Sequence, residues 1–158
     1  MNDIAERPNR IPWPPLVCLA GIVAALFLGI FYPAPWFGAP LADILFAFGC
    51  LLVFAVVAID VSAMRTLYRA KTTAMPHKGS THLVTGGPYS FTRNPIYLGY
   101  TLLLVGSGLI LGNVWFLAAA LVVALAIGRL AIRPEERHLE ARFGKRYRDY
   151  AKKVRRWI

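Results

Sequence analysis

The stretch NPIYLGYTLLLVGSGLILGNVWFLAAALVVALAIGRLAIRPEE, residues 94–136, holds two apolar runs, 96–111 and 114–132, separated only by Gly112 and Asn113. Each run is near the ~20 residues that an α-helix needs to cross ~30 Å of hydrocarbon, and a Gly-Asn pair favours a turn. The shorter run, 96–111, either crosses at a slant or forms a tight helical hairpin with its neighbour. Two further runs, 16–32 and 41–59, have the same character. With 57% of its 158 residues hydrophobic and 16% charged, the chain is too apolar for a soluble domain of this size. The expected fold is therefore all-α: an integral membrane protein with about four transmembrane helices, a cytoplasmic loop and a C-terminal amphipathic helix.

The charges supply an orientation. Of the 18 basic residues, Arg7 and Arg10 precede the first run, Arg65, Arg69, Lys71, Lys78 and Arg93 lie between the second and third, and the remaining eleven begin at Arg129. None falls in 33–40 or at Gly112-Asn113, so the positive-inside rule places both termini and the middle loop in the cytoplasm, in what we expect to be a bacterial inner membrane. Arg7 and Arg10 ahead of an apolar run resemble a secretory signal, but Trp13, Pro14 and Pro15 intervene and no small-residue cleavage pattern follows, so the run is expected to be a true span. A net charge of +10 raises the possibility of nucleic acid. These charges flank spans, however, and lack interleaved stacking aromatics, so contact with anionic lipid head groups is the simpler reading. Cys18 and Cys50 lie within runs without metal-ligand spacing and are read as packing residues. No metal site is expected.

No repeat or composition break divides the chain, so residues 1–158 are expected to form one membrane-embedded domain. Its polar material collects in a linker, 62–95, and a tail, 133–158. The linker should begin as a helical extension of the second run and break at Pro76 and Gly79; THLVTGGPYSFTRNP, with two glycines and two prolines, should be an irregular loop. Irregular backbone against a bilayer must have its amides satisfied by protein, water or a ligand. In the tail, Pro134 suits the first turn of a helix, and Glu135 and Glu136 suit its positive end. Leu139, Phe143, Tyr147, Tyr150, Val154 and Trp157 recur at spacings of three and four, the stripe of an amphipathic helix whose other face would meet lipid phosphates.

Two features go beyond packing. His82, Tyr89, Arg93, Asn94 and Tyr97 cluster in a glycine-bearing loop whose backbone could approach a ligand closely. Glu135 and Glu136 stand at the end of the fourth run, where a buried carboxylate is costly unless it meets a partner. Carboxylate, arginine and amide edges together suit a zwitterionic, nucleoside-like cofactor; a structural ion pair between Arg93 and the glutamates is the alternative.

HLVTGGPYSFTRNPIYLG, followed further on by RPEERHLEARFGKRYRDY, resembles the integral-membrane methyltransferases that include isoprenylcysteine carboxyl methyltransferase and the phospholipid N-methyltransferases. The resemblance runs from Thr81 to about Val154. It implies transfer of a methyl group from S-adenosyl-L-methionine to a lipid or lipophilic acceptor entering from the bilayer, by carboxyl O-methylation or phospholipid N-methylation. The cofactor-binding half would be about 77–158. By this resemblance the cofactor pocket is lined by His82, Leu83, Val84, Tyr89, Asn94, Pro95, Ile96, Tyr97, Glu135 and Glu136. The acceptor would meet Arg133, with Arg93 as a second catalytic arginine and Arg129, one turn before Arg133, as the less favoured choice.

Asn94 stands where the carboxyl methyltransferases often carry histidine. Its amide can hydrogen-bond a cofactor but cannot titrate near neutral pH, which argues against a proton-transferring role. His82 lies one position closer to Leu83 than the family's histidine does. Arg133 favours an anionic or phosphate-bearing acceptor, since a guanidinium pairs with either in bidentate fashion. Gly99, Gly106, Gly108 and Gly112 along the third run are expected to allow close helix approach. Other readings are a membrane reductase of the sterol-reductase-like type, for which no dinucleotide fingerprint is present, and a non-enzymatic lipid-binding protein, which leaves the paired motifs without a purpose.

Overall fold

The computed structural model describes residues 11–71 and 82–158, and among them it contains helices and no strand. Helix α1 spans Trp13–Phe31 and begins earlier than expected, because Pro14 and Pro15 occupy its first turn, where their missing N–H groups cost nothing. Helix α2, Leu41–Arg69, starts where its apolar run starts and continues well past residue 59, so the expected helical extension is present as far as Arg69. The breaks expected at Pro76 and Gly79 lie outside the described residues.

Helix α3, Pro95–Leu111, carries its proline in the first turn and ends on Gly112, whose φ of 62° is the left-handed conformation that glycine adopts without strain. Asn113 caps α4, Val114–Ile127, by accepting a hydrogen bond from the Trp115 amide at 3.0 Å. The hairpin expected at Gly112-Asn113 is therefore built from one residue that ends a helix and one that starts the next. Asn113 also donates to the Ala25 carbonyl at 3.5 Å, and the Trp115 indole donates to the Tyr32 carbonyl at 2.7 Å, tying this turn to the end of α1.

Helix α4 does not stop at the end of its apolar run. Through a π-helical turn, Gly128–Ile132, it passes into α5, Arg133–Phe143, giving one helix of 30 residues. Gly144, at φ 53°, breaks the chain, and α6, Lys145–Lys153, follows. The tail is thus two short helices rather than the one continuous amphipathic helix read from the 139–157 stripe, because the positive φ at Gly144 reorients α6.

Among the described residues, α1, α2 and the joined helix Val114–Phe143 are long and apolar enough to cross a membrane, with mean hydropathies of 2.3, 2.8 and 2.2. Helix α3 has 17 residues. At ~1.5 Å per residue it is about 26 Å long, somewhat less than the ~30 Å hydrocarbon thickness. Of the four spans expected, three are helices of spanning length among the described residues, and α3 is an apolar helix shorter than that. The chain is an integral membrane protein.

Helix α3 packs between α2 and α4, and α1 covers α4 and touches α3. The core where they meet is aliphatic and aromatic, with Leu104, Phe116, Val123 and Ile127 almost wholly buried. Close approach depends on glycine. A Cβ on Gly49 would lie 2.9 Å from the Gly106 carbonyl oxygen, and one on Gly106 would lie 2.7 Å from a Val53 methyl. Outward from this core, Val23, Phe27, Leu51, Phe54 and Leu121 are exposed, as side chains facing hydrocarbon are. Cys18 is buried as a packing residue should be; Cys50 instead sits on the exposed outer face of α2, so the packing role expected for it is corrected.

Candidate functional site

The loop that precedes α3 is held at both ends. A short 3₁₀ turn, Gly87–Ser90, packs on α2. Gly87 has φ 60°, and a Cβ there would fall 2.7 Å from the Thr66 hydroxyl, so glycine is required on both counts. Beyond the turn, the C-terminal residues lie across the loop as a strap. The Arg93 amide donates to the Arg155 carbonyl at 3.0 Å, and the Arg156 carbonyl accepts from the Asn94 side-chain amide at 2.9 Å and from the Thr92 hydroxyl at 3.3 Å. Thr92 is fully buried and Asn94 nearly so, so these bonds hold the loop rather than decorate it.

The two glutamates at the start of α5 meet this loop. The Tyr97 hydroxyl donates to Glu135 Oε2 at 2.8 Å. Arg93 Nη1 lies 3.2 Å from Glu136 Oε1 and donates to the Tyr147 hydroxyl at 3.1 Å. From the strap, Arg156 forms a bidentate pair with Glu136, at 3.0 and 2.6 Å. One carboxylate thus holds two guanidinium groups, and with Glu135 beside it the wall carries two acids and two arginines. Tyr150 joins α6 to the loop by donating to the Tyr89 carbonyl at 2.6 Å. The apolar stripe of the tail thus packs on the loop through Tyr147 and Tyr150.

These elements enclose a cleft on which His82, Leu83, Val84, Tyr89, Asn94, Pro95, Ile96, Tyr97, Glu135 and Glu136 all lie, together with Arg93. Arg133 is exposed at the start of α5 and Arg129 is exposed one turn earlier; neither lines the cleft. Leu67, Leu139, Tyr147 and Tyr150 complete the wall. Leu139, Tyr147 and Tyr150 were visible in the sequence only as members of an apolar stripe. Arg156, in a run of four cations and Val154, has no spacing that singles it out. The cleft has a cavity volume of about 70 Å³, well short of the ~300–1,000 Å³ of ligand sites. A nucleoside-sized ligand would fill the mouth as well.

Burial sets the protonation of the phenols. It pushes Tyr147 up to about 12, with Glu136 adding to the rise and Arg93 opposing it. Tyr150 is pushed up to about 12 by burial against the opposing charge of Arg93. Tyr89 is raised first by burial, then by Glu135, Tyr150 and Asp60. All three are neutral near neutral pH and act as hydrogen-bonding groups, not as bases. The Glu136 hydrogen bonds push the Arg156 guanidinium up, holding it charged.

Two polar features of the cleft are unused. Arg93 Nε is buried with no hydrogen-bond partner among the described residues. The Leu83 and Val84 peptide groups, in non-helical chain, make no backbone hydrogen bond among the described residues. Both can serve a polar ligand.

The phospholipid methyltransferase family profile matches residues 44–146, which include α3, α4, α5, most of α2 and the loop. The chain belongs to the phospholipid methyltransferase family. Similar proteins include an uncharacterized protein of Haemophilus influenzae, 40% identical over 63 residues that are 40% of this chain and 100% of that one. The nickel-cobalt-cadmium resistance protein NccN of Alcaligenes xylosoxydans xylosoxydans is 39% identical over 75 residues, 48% of this chain and 35% of its own. The protein-S-isoprenylcysteine O-methyltransferase of Schizosaccharomyces pombe is 35% identical over 75 residues, 46% of this chain and 30% of its own. The match thus spans the whole of the first relative but about a third of the other two. No solved structure matches. Membership of a methyltransferase family and the apolar helices make this a membrane protein of methyl-transfer type.

Proposed function

We propose that this protein transfers the methyl group of S-adenosyl-L-methionine to a lipid or lipophilic acceptor at the cytoplasmic face of a bacterial inner membrane. The observation that carries the reading is the meeting of loop 82–97 with Glu135 and Glu136 in one cleft. These segments are far apart in sequence, and packing of the spans alone does not require them to share a cavity. The donor set fits the cofactor's chemistry: open peptide groups at Leu83 and Val84 for a base edge, carboxylate oxygens of Glu135 for cationic groups, and Arg93 Nε for an anionic one. When bound, S-adenosyl-L-methionine supplies a methyl group already activated by its sulfonium.

The residues of this chain then have mainly to align and to exclude water. Tyr97 orients Glu135, while Arg93 and Arg156 fix Glu136 and so hold α5 against the loop. Arg93 faces the cleft, and Arg133 stands exposed at the start of α5, where a head group in the interface could meet it. In this reading residues 1–158 act as one membrane-embedded unit with its cofactor-binding half at about 77–158, α3 is the fourth crossing and both termini are cytoplasmic.

Titration calorimetry of the purified protein with S-adenosyl-L-methionine and with NADPH tests the reading. Saturable binding of the first and none of the second is expected. Binding of NADPH alone would move the protein to the membrane reductases.

A further inference from the structure

Arg93, Glu136 and Tyr147 line both the cleft and a second, open groove of about 360 Å³ between α5 and α6. The cations of this groove are Arg93, Arg148, Lys152 and Arg156, and its acids are Glu136 and Glu140. Four positive charges thus meet two negative ones. Helical spacing explains the arrangement: Glu136 and Glu140 are one turn apart on α5, as Arg148 and Lys152 are on α6, so each helix gives the groove one row of charge. Between the rows lies Ala151, half-buried, whose methyl group fills little of the space.

The acids do not use up the cations. Glu136 takes the Nε and Nη2 edge of Arg156 at 3.0 and 2.6 Å, while Arg156 Nη1 makes no hydrogen bond among the described residues. Arg148 lies 3.6 Å from Glu140, too far for a hydrogen bond, and with side chains 56% and 50% exposed that pair contributes little. Lys152 has no ion pair among the described residues. Unused guanidinium and ammonium donors in one groove suit a further anion with several acceptor oxygens, which a phosphate has.

The height of the groove decides the source of that phosphate. The apolar part of the joined helix ends at Ile132, and Glu136 and Glu140 follow it by four and eight residues. At ~1.5 Å per residue they stand about 6 and 12 Å further along the axis. Head groups add roughly 5–8 Å to each side of the hydrocarbon core, so the groove opens at the level of lipid phosphates.

We propose that this groove seats the phosphate of an anionic lipid, held by Arg148, Lys152 and Arg156, and that the bound lipid fastens the C-terminal strap. Arg156 is the link. Its carbonyl already accepts from Asn94 and Thr92, so an anion on its guanidinium fixes the same residue at its far end. A zwitterionic head group brings its own cation into a groove with surplus positive charge and is the weaker ligand. The proposal does not depend on the reaction performed in the cleft.

The test titrates the full chain in neutral detergent with dioctanoyl phosphatidylglycerol, dioctanoyl phosphatidylcholine and glycerol phosphate, and native mass spectrometry reads the bound fraction. Phosphatidylglycerol should bind about tenfold or more tighter than either of the others. The double variant Arg148→Gln/Lys152→Gln should weaken its binding by about tenfold or more. Lys145→Gln/Arg146→Gln removes the same charge from exposed positions of α6 outside the groove, and should stay within about threefold of wild type. Phosphatidylglycerol at tenfold its dissociation constant should also slow carboxypeptidase removal of residues 156–158 by about tenfold in wild type, and not in the first variant. Equal weakening by the two double variants would reduce the site to general surface charge. Glycerol phosphate binding as tightly as the lipid would make it a site for soluble phosphates, and bound lipid that leaves the tail unprotected would dissociate it from the strap. Each of these results overturns the proposal.

Discussion

At the scale of single residues, the cleft is held by a few charge-assisted hydrogen bonds whose removal has separable effects. Tyr97→Phe removes the donor to Glu135 Oε2 and leaves a partly buried carboxylate short of a partner. We expect a loss of about 1–3 kcal/mol in stability, read by denaturation in detergent, with the helical content unchanged. Arg156→Lys keeps a positive charge beside Glu136 but loses the two-pronged geometry at 3.0 and 2.6 Å. It should loosen residues 154–158, read as faster proteolysis of the tail, and Arg156→Ala should loosen them further. Arg133, exposed and away from the cleft wall, is the contrast. Arg133→Lys should leave cofactor affinity unchanged, and its turnover with the acceptor decides whether the guanidinium meets a head group or only anchors the helix end.

At the scale of elements, glycine has opposite meanings in two helices. Gly49→Ala would drive a Cβ to 2.9 Å from both the Gly106 carbonyl oxygen and Ile110 Cγ1, and backbone cannot move aside cheaply. We expect it to cost about 1–3 kcal/mol by forcing α2 from α3. A Cβ on Gly128 meets nothing within 4 Å, and the residue has helical dihedrals of −56° and −38°. Gly128→Ala should therefore be neutral or stabilise by up to about 1 kcal/mol; thermal unfolding of the two variants side by side checks both signs. The same scale shows what was legible in the sequence. The hairpin at Gly112-Asn113 was readable because a left-handed residue followed by a capping one is a local signal. The starts of α2 and α4 were readable because each begins with its apolar run. The break at Gly144 was missed because the stripe continues across it, and periodicity does not register a change of helix axis.

At the scale of the whole molecule, the cleft wall depends on segments from both halves of the chain, and only part of it was visible beforehand. The loop and the two glutamates were found through the paired motifs. The clamp of Arg156 on Glu136 was not, since a long-range ion pair between a carboxylate and one cation among many leaves no mark on local pattern. Orientation was read from charge alone. Reporter fusions at Phe37 and Asn113 should lie outside and one at Ile158 inside; an external signal at Ile158 overturns the positive-inside assignment.

The π-helical turn between α4 and α5 has a mechanical consequence. Its amide from Arg133 reaches back to the Gly128 carbonyl, one residue further than an α-helix would. One additional residue in a helix advances the azimuth of everything after it by about 100°. The turn therefore acts as an angular spacer, setting the compass bearing from which Glu135 and Glu136 face Tyr97 and Arg93 without altering the hydrocarbon-crossing part. Deleting Leu130 would restore an unbroken α-helical phase, swing both carboxylates off their bearing and disconnect the tail from the loop, while the apolar part of α4 is unchanged. Helical content by circular dichroism should persist in that deletion while cofactor binding is lost, so the aim of the site is set by one residue of helical phase.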